Sequence, residues 1–271
     1  NISKFKKSII VWNSERNYNF SRNHSIEIEL KENLGQATAL NIGIERALKM
    51  DIEIVLTLDQ DSELFENSEK IIKIVNKYDD IYKNPAGFSF EYFTNSKKYL
   101  QNYKINLPSS LLTPITSGCI YLTKVWKELN GFNNYLFIEG IDTDFAIKAK
   151  LKNFNFYKFD YPIMFHDAGI LISKNILNFN FTFRKHSDIR VYLQYRNNLN
   201  IFIKNILYFP KWAIRSIFNL FTKKAFVVIL GSSNPLRTSL WIIKGIFHGL
   251  LESTIFKNKL KQPKFYFKNN S

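Results

Sequence analysis

In "LTLDQDSE" (residues 56–63), Asp59 and Asp61 stand two positions apart directly after an apolar run. Two carboxylates at the end of a strand can hold a hard divalent cation through oxygen, and Mg²⁺ or Mn²⁺ suits that chemistry. Such a cation could neutralise a diphosphate. The competing reading is an Asp-x-Asp that only caps the next turn.

The elements that must position these carboxylates can be read around them. "KSIIVW" (7–12) and the alternating "IEIEL" (26–30) read as strands. Ala37, Leu40, Ile44, Ala47 and Leu48 recur at three- and four-residue steps, which predicts a helix from Gln36 to Lys49. "IEIVLTL" (52–58) is a continuous apolar run of the kind buried on both faces of a parallel sheet, and "SEKIIKIVNKY" (68–78) is an amphipathic helix. This alternation predicts an α/β layered fold, and in open α/β sheets ligands collect beyond the carboxyl ends of the strands. Residues 84–114 are polar and poorly periodic, and read as excursions from the sheet. "ITSGCIYLT" (115–123) resumes strand character, and "KVWKELNGF" is a short helix ended by Gly131. "IDTDFAIKAKLKN" (141–153) reads as a helix and "FNFYKFDYPIMFH" (154–166) as a strand ending at His166.

Composition bounds the rest. With 271 residues, 45% of them hydrophobic, the chain has material for a real core. Its single cysteine, Cys119, rules out a disulfide framework and points to a reducing compartment such as the cytoplasm. The net charge of +15 suits nucleic acid, an anionic membrane or a phosphorylated substrate. Nucleic acid is the weakest of these, since no RNA or DNA motif is present and the basic residues are spread out. "NISKFKKSIIVW" is not a signal peptide, and its lack of an initiator Met suggests a clipped beginning.

One ordered set of motifs goes further. "NLGQATALNIG" carries Asn33, Gly35, Ala37, Ala39, Asn41 and Gly43 on every second position. "LDQDS", "TSGCIYL", "GFNNYLFIEGIDTDFAIK" and "FHDAG" follow in that order. Over residues 8–200 this set resembles glycosyltransferase family 2, and "LDQDS" resembles its bacterial rhamnosyltransferase branch. The resemblance implies a GT-A fold: a Rossmann-like, mixed, mostly parallel sheet flanked by helices. Residues 1–198 would form this catalytic domain. It also implies an inverting transferase that moves a sugar, rhamnose from dTDP-rhamnose in that branch, to a polysaccharide or lipid-linked saccharide of the bacterial surface.

By the same resemblance Asp61 is the direct ligand of Mg²⁺ or Mn²⁺, Asp59 contacts the ribose or a metal-bound water, and His166 offers an imidazole to the metal. For His166 a structural histidine bonded to backbone is the alternative. Asp142 matches the position of the base that takes the proton of the acceptor hydroxyl, with Asp144 and Glu139 near it; its alternative is a helix cap. Asn33, Gly35, Asn41, Ser117 and Gly118 fall where donor or acceptor is bound, and Thr116 and Ser117 can donate hydrogen bonds. In "RVYLQYRNN" (190–198), Arg190 or Arg196 could reach a phosphate, against the alternative of a solvated helix face.

Departures are also legible. The spacing from Val11 to Asn33 fits the family's second strand, so its first strand and helix are expected to be missing. Where relatives commonly carry Asp-Asn-Gly-Ser, this chain has Trp12, Asn13, Ser14 and Glu15. A catalytically impaired binding or scaffold subunit is therefore the second reading. Residues 199–271 interleave Phe, Ile, Leu and Trp with Lys204, Lys211, Arg215, Lys223 and Lys224, without a run long enough to span a bilayer. Such a basic amphipathic helical appendage suits either the inner leaflet of an anionic membrane, with the protein peripheral on its cytoplasmic face, or packing on the catalytic domain or a second subunit of an oligomer.

Overall fold

A computed structural model of the chain describes residues 7–15, 25–94, 105–166, 171–176, 179–184 and 186–254. The chain forms two compact units: Asn1–Phe137 with Ile141–Ala168, and Ile138–Gly140 with Gly169–Ser271.

In the first unit, β1 (Ser8–Trp12) and β2 (Ser25–Glu29) pair in parallel. Helix α1 (Gln36–Leu48) buries Ala37, Ile44 and Ala47, three of the positions that its periodicity marks. After β3 (Ile54–Thr57) and β4 (Ser62–Leu64) comes α2 (Ser68–Asn76), whose first turn is capped by the Asn67 side chain accepting from the Lys70 N–H. Strands β5 (Pro85–Phe93), β6 (Ser109–Leu111) and β7 (Cys119–Leu122) are followed by α3 (Thr123–Glu128), α4 (Ile141–Leu151) and the long β8 (Asn155–His166).

The main sheet has the order β3-β7-β5-β8-β4, with β6 also paired to β8. The mixed α/β architecture expected from the sequence is present. Its two longest strands, β5 and β8, pair in parallel, and β3 runs in the same direction. Strand β7 is inserted antiparallel between β3 and β5, and the short β4 and β6 lie antiparallel on β8. The sheet carries a core cluster of Phe88, Phe90, Ile120, Phe159, Ile163 and Met164, with Ile71, Ile74 and Val75 of α2.

Two expectations need correction here. The apolar run at 52–58 is not buried on both faces: β3 is an edge strand paired only with β7 among the described strands, and Ile54 is exposed. Residues 84–114 are not only excursions, because β5 lies at the centre of the sheet. The strand shows no alternation because Ala86 through Phe90 are all buried, with Glu91, Tyr92 and Phe93 half-buried beyond them.

The second unit contains the hairpin of β9 (Leu171–Ile176) and β10 (Phe179–Arg184), then α5 (Asp188–Lys204), α6 (Pro210–Asn219), a π-helical turn at Leu220–Lys224, α7 (Ala225–Gly231) and α8 (Pro235–Thr254). The expected boundary at residue 198 falls inside α5, which belongs wholly to this unit because it packs along α8. Gly245 and Gly249 permit that approach, since a Cβ on them would lie 2.7 Å from the Tyr192 carbonyl oxygen and 2.8 Å from that of Arg196. Nor is "RVYLQYRNN" a solvated face: Val191 through Asn197 are all buried.

Gly87 makes the tightest approach in the sheet. A Cβ there would lie 2.1 Å from the Ile120 carbonyl oxygen and 2.7 Å from the Phe156 ring. Gly87→Val should lower the stability of this unit by at least about 2 kcal/mol, measured as the shift of a urea unfolding midpoint at unchanged slope.

Candidate active site

The site begins with a strand register. β4 pairs with β8 so that Ser62 faces His166 and Leu64 faces Met164. Opposed residues on antiparallel strands put their side chains on the same face. Leu64 and Met164 are buried, at 1% and 0% exposure, and so hold that register in the core. Asp61 precedes Ser62, which leaves its carboxylate 3.4 Å from Nδ1 of His166. Asp59 opens the turn from β3 to β4, and one ligand atom from each of Asp59, Asp61 and His166 lies within 4.8 Å of the others.

Hydroxyls underpin this cluster. The Asp59 backbone N–H donates to Ser117 Oγ at 3.1 Å. Ser117 Oγ lies 2.6 Å from Ser62 Oγ, which lies 2.9 Å from Nδ1 of His166. The chain of contacts ties the backbone of one carboxylate to the ring of the imidazole. Gln36 Nε2, at the start of α1, donates to Asp59 Oδ1 at 2.8 Å. The strand ends are pinned by the Gly118 N–H donating to the Thr57 carbonyl at 2.8 Å and by Thr57 Oγ1 donating to the Thr116 carbonyl.

Two carboxylates this close repel by about 1–3 kcal/mol, depending on how far water screens them. Two oxygen donors and an imidazole, partly open to solvent, form a set that suits a divalent cation, which would remove that repulsion.

Asp142 occupies the first turn of α4. Its Oδ1 accepts from the Thr143 N–H at 2.7 Å, so the capping role is real. The carboxylate has a second effect. The buried Tyr121 hydroxyl is pushed well above its ordinary pKa, first by burial, then by Cys119, Asp142 and, more weakly, Asp59. Cys119 is buried, and burial holds its thiol up, so it stays protonated rather than nucleophilic.

The remaining expected residues divide. Asn33 Oδ1 accepts from the Gly35 N–H at 3.0 Å, shaping the turn into α1, and Gly35 packs against the Phe137 ring. Ser117 is 3% exposed and belongs to the support beneath the cluster. Gly118 has φ +73° and faces Met164, so it serves the backbone turn. Asn41 is spent on the α1 connection: its Nδ2 donates to the Phe132 carbonyl at 2.9 Å and its Oδ1 accepts from the Phe132 N–H at 2.8 Å. Asp144 is 2.7 Å from Lys148 on its own helix.

Arg196 is the clear correction. It is 1% exposed within the second unit, bonded to Asn197 Oδ1 at 2.8 Å and 3.9 Å from Glu252. Its charge is used between α5 and α8, not offered to a phosphate. Arg190 pairs with Glu139 at 2.7 Å.

The chain is similar to S. aureus TarS. The TM-score is 0.42 with 14% identity, covering 92% of this chain and 55% of that one. A second TarS structure, spanning 1–349, gives a TM-score of 0.43 and 13% identity, covering 92% of this chain and 73% of that one. This chain thus spans about half the length of the first. No protein-family description and no curated protein matches it.

Sequence reasoning missed Ser62 and Gln36, which touch the cluster's side chains directly. Ser62 stood in the quoted "LDQDSE"; only the cross-strand pairing with His166 reveals its use. Ser62→Ala should weaken Mn²⁺ binding about tenfold by freeing the His166 ring, read by calorimetric titration of the metal alone.

Proposed function

We infer that the chain is a glycosyltransferase that takes a nucleotide-diphosphate sugar and passes the sugar to a saccharide acceptor in cell-envelope glycan synthesis. The observation that carries this reading is the meeting of Asp59, Asp61 and His166 at the strand ends. The finer assignment is a metal-dependent, inverting enzyme, and the "LDQDS" resemblance favours rhamnose from dTDP-rhamnose.

Asp59, Asp61 and His166 would hold the cation, whose positive charge would stabilise the departing diphosphate. Asp142 accepts the proton of the acceptor hydroxyl as its oxygen bonds to the anomeric carbon. The bond from that carbon to the diphosphate breaks on the opposite face, so configuration inverts in one displacement. Gln36 holds Asp59, and the Ser117–Ser62 pair holds His166, so the binding groups are set before the donor arrives.

A binding or scaffold subunit remains the second reading. It is favoured by Trp12, which stands where relatives commonly carry the acidic contact to the nucleotide base. Its indole Nε1–H donates to Glu27 Oε2 at 3.1 Å instead.

Calorimetry with dTDP-rhamnose and other nucleotide sugars, with and without Mn²⁺, tests the enzyme reading. Donor binding should require the metal, and Asp61→Asn should weaken it at least about tenfold. Donor binding indifferent to Mn²⁺ would count against the cluster's assignment. Asp142→Asn should lower turnover by at least about 100-fold while donor affinity stays within about threefold. Tight donor binding by the wild type with no turnover on any saccharide acceptor would favour the scaffold reading.

A further inference from the structure

Most of the exposed large hydrophobic side chains among the described residues fall between Leu207 and Leu250, all in the second unit. On α8 they form one stripe: Leu236, Leu240, Ile243, Phe247 and Leu250 recur at steps of four and three, between 43% and 82% exposed. The other face of α8, with Ile242, Gly245 and Gly249, is the one that packs within the unit. A second run, Ile214, Phe218 and Phe221, is exposed along α6 and the π turn that follows. An exposed apolar stripe such as that of α8 is uncommon on soluble monomers and marks a contact with something else.

The charges around it have one sign. Between residues 204 and 254 the basic residues are Lys204, Lys211, Arg215, Lys223, Lys224, Arg237 and Lys244, and the one acidic residue is Glu252. Glu252 is buried at 7% exposure, so it presents no negative charge outward. Of the basic groups, Arg237 is neutralised by Asp188 at 2.6 Å. Lys244 lies over the Trp241 ring at 5.0 Å, an amphipathic pairing suited to a boundary between apolar and wet surroundings. No helix among the described residues is long and apolar enough to cross a membrane.

We propose that the exposed apolar stripes of α6 and α8, with the lysines and arginine of α6 and the π turn, form a docking surface for an anionic lipid bilayer. The apolar side chains enter the boundary between headgroups and acyl chains, and the cations sit against lipid phosphates. A second copy of the chain fits worse, because it would bring the same positive side chains to the contact. Duplex nucleic acid would use the cations and leave the apolar stripes in water. The inference rests on the second unit alone, so its failure would leave the reading of Asp59, Asp61, His166 and Asp142 untouched.

The test is flotation of the full chain with vesicles of phosphatidylglycerol and phosphatidylcholine in about equal parts. Binding should be at least about tenfold weaker to pure phosphatidylcholine and should fall with added salt. The double variant Leu240→Ser, Phe247→Ser changes only exposed side chains, and should lower partition at least about tenfold with an unchanged thermal melt. Lys211→Glu with Lys223→Glu should do the same through charge alone, and keeps the test open if the first variant misfolds. Absence of the full chain from the phosphatidylglycerol vesicles, or equal flotation of the folded variants, would overturn the proposal. So would a stable oligomer in sedimentation that Leu240→Ser, Phe247→Ser disperses, since the stripe would then belong to a second copy.

Discussion

The register of β4 on β8 is the constraint from which the candidate site follows. Ser62 opposite His166 and Leu64 opposite Met164 are one decision, because strand side chains alternate with a period of two. A slip of β4 by one residue would turn Ser62 away from His166 and take Leu64 out of the core. Each of those buried apolar side chains contributes about 2 kcal/mol by its removal from water. The packing of Leu64, Ile163 and Met164 therefore fixes where the imidazole and Asp61 meet. The mutual repulsion of Asp59 and Asp61 is borne by a core several residues away from either. That is how a fold can keep two like charges close together before any counter-ion arrives.

The electrostatics of the chain are opposed on two scales. The net charge is +15, yet the strand ends gather Asp59 and Asp61. The long-range field draws polyanions, while the local cluster repels them. A divalent cation at the cluster reverses the local sign and brings the two scales into agreement for a diphosphate. The hydroxyl pair of Ser62 and Ser117 matters here because it is neutral. It holds the imidazole without adding charge, so the donor set keeps the affinity that its carboxylates give it.

Much of this was legible in the sequence, and the parts that were not share a cause. Helices α1 and α2 were readable because one face of each is buried and the apolar period shows it. Strand β8 and its terminal His166 were readable because an apolar run of that length has few other uses. Strand β5 was not, because "PAGFSFEYF" mixes small, polar and aromatic residues. Its place in the sheet depends on Gly87 fitting against Ile120 and Phe156, a non-local fact. The two acids of "LDQDS" could be singled out by spacing alone, whereas Ser62 and Gln36 acquire their roles through partners 104 and 23 residues away. Arg196 was misread because a helix rich in Arg, Gln and Asn normally faces water.

That helix explains the character of the second unit. Gln194, Arg196, Asn197 and Asn200 of α5 are buried, and Arg196 reaches Asn197 and Glu252 there. Buried polar groups must meet partners at fixed positions, so they specify register more sharply than an oily contact does. Gly245 and Gly249 bring the α8 backbone close enough for that polar seam to form. The usual division of an amphipathic helix is thereby displaced. The face of α8 that packs is small and partly polar, while Leu236, Leu240, Ile243, Phe247 and Leu250 remain outside. A helix apolar on its outer face is stable in water only at a cost that burial elsewhere must offset. The sequence meets that cost while keeping every unburied charge between residues 204 and 254 positive, a combination that disfavours self-association and favours a negatively charged, apolar-edged surface.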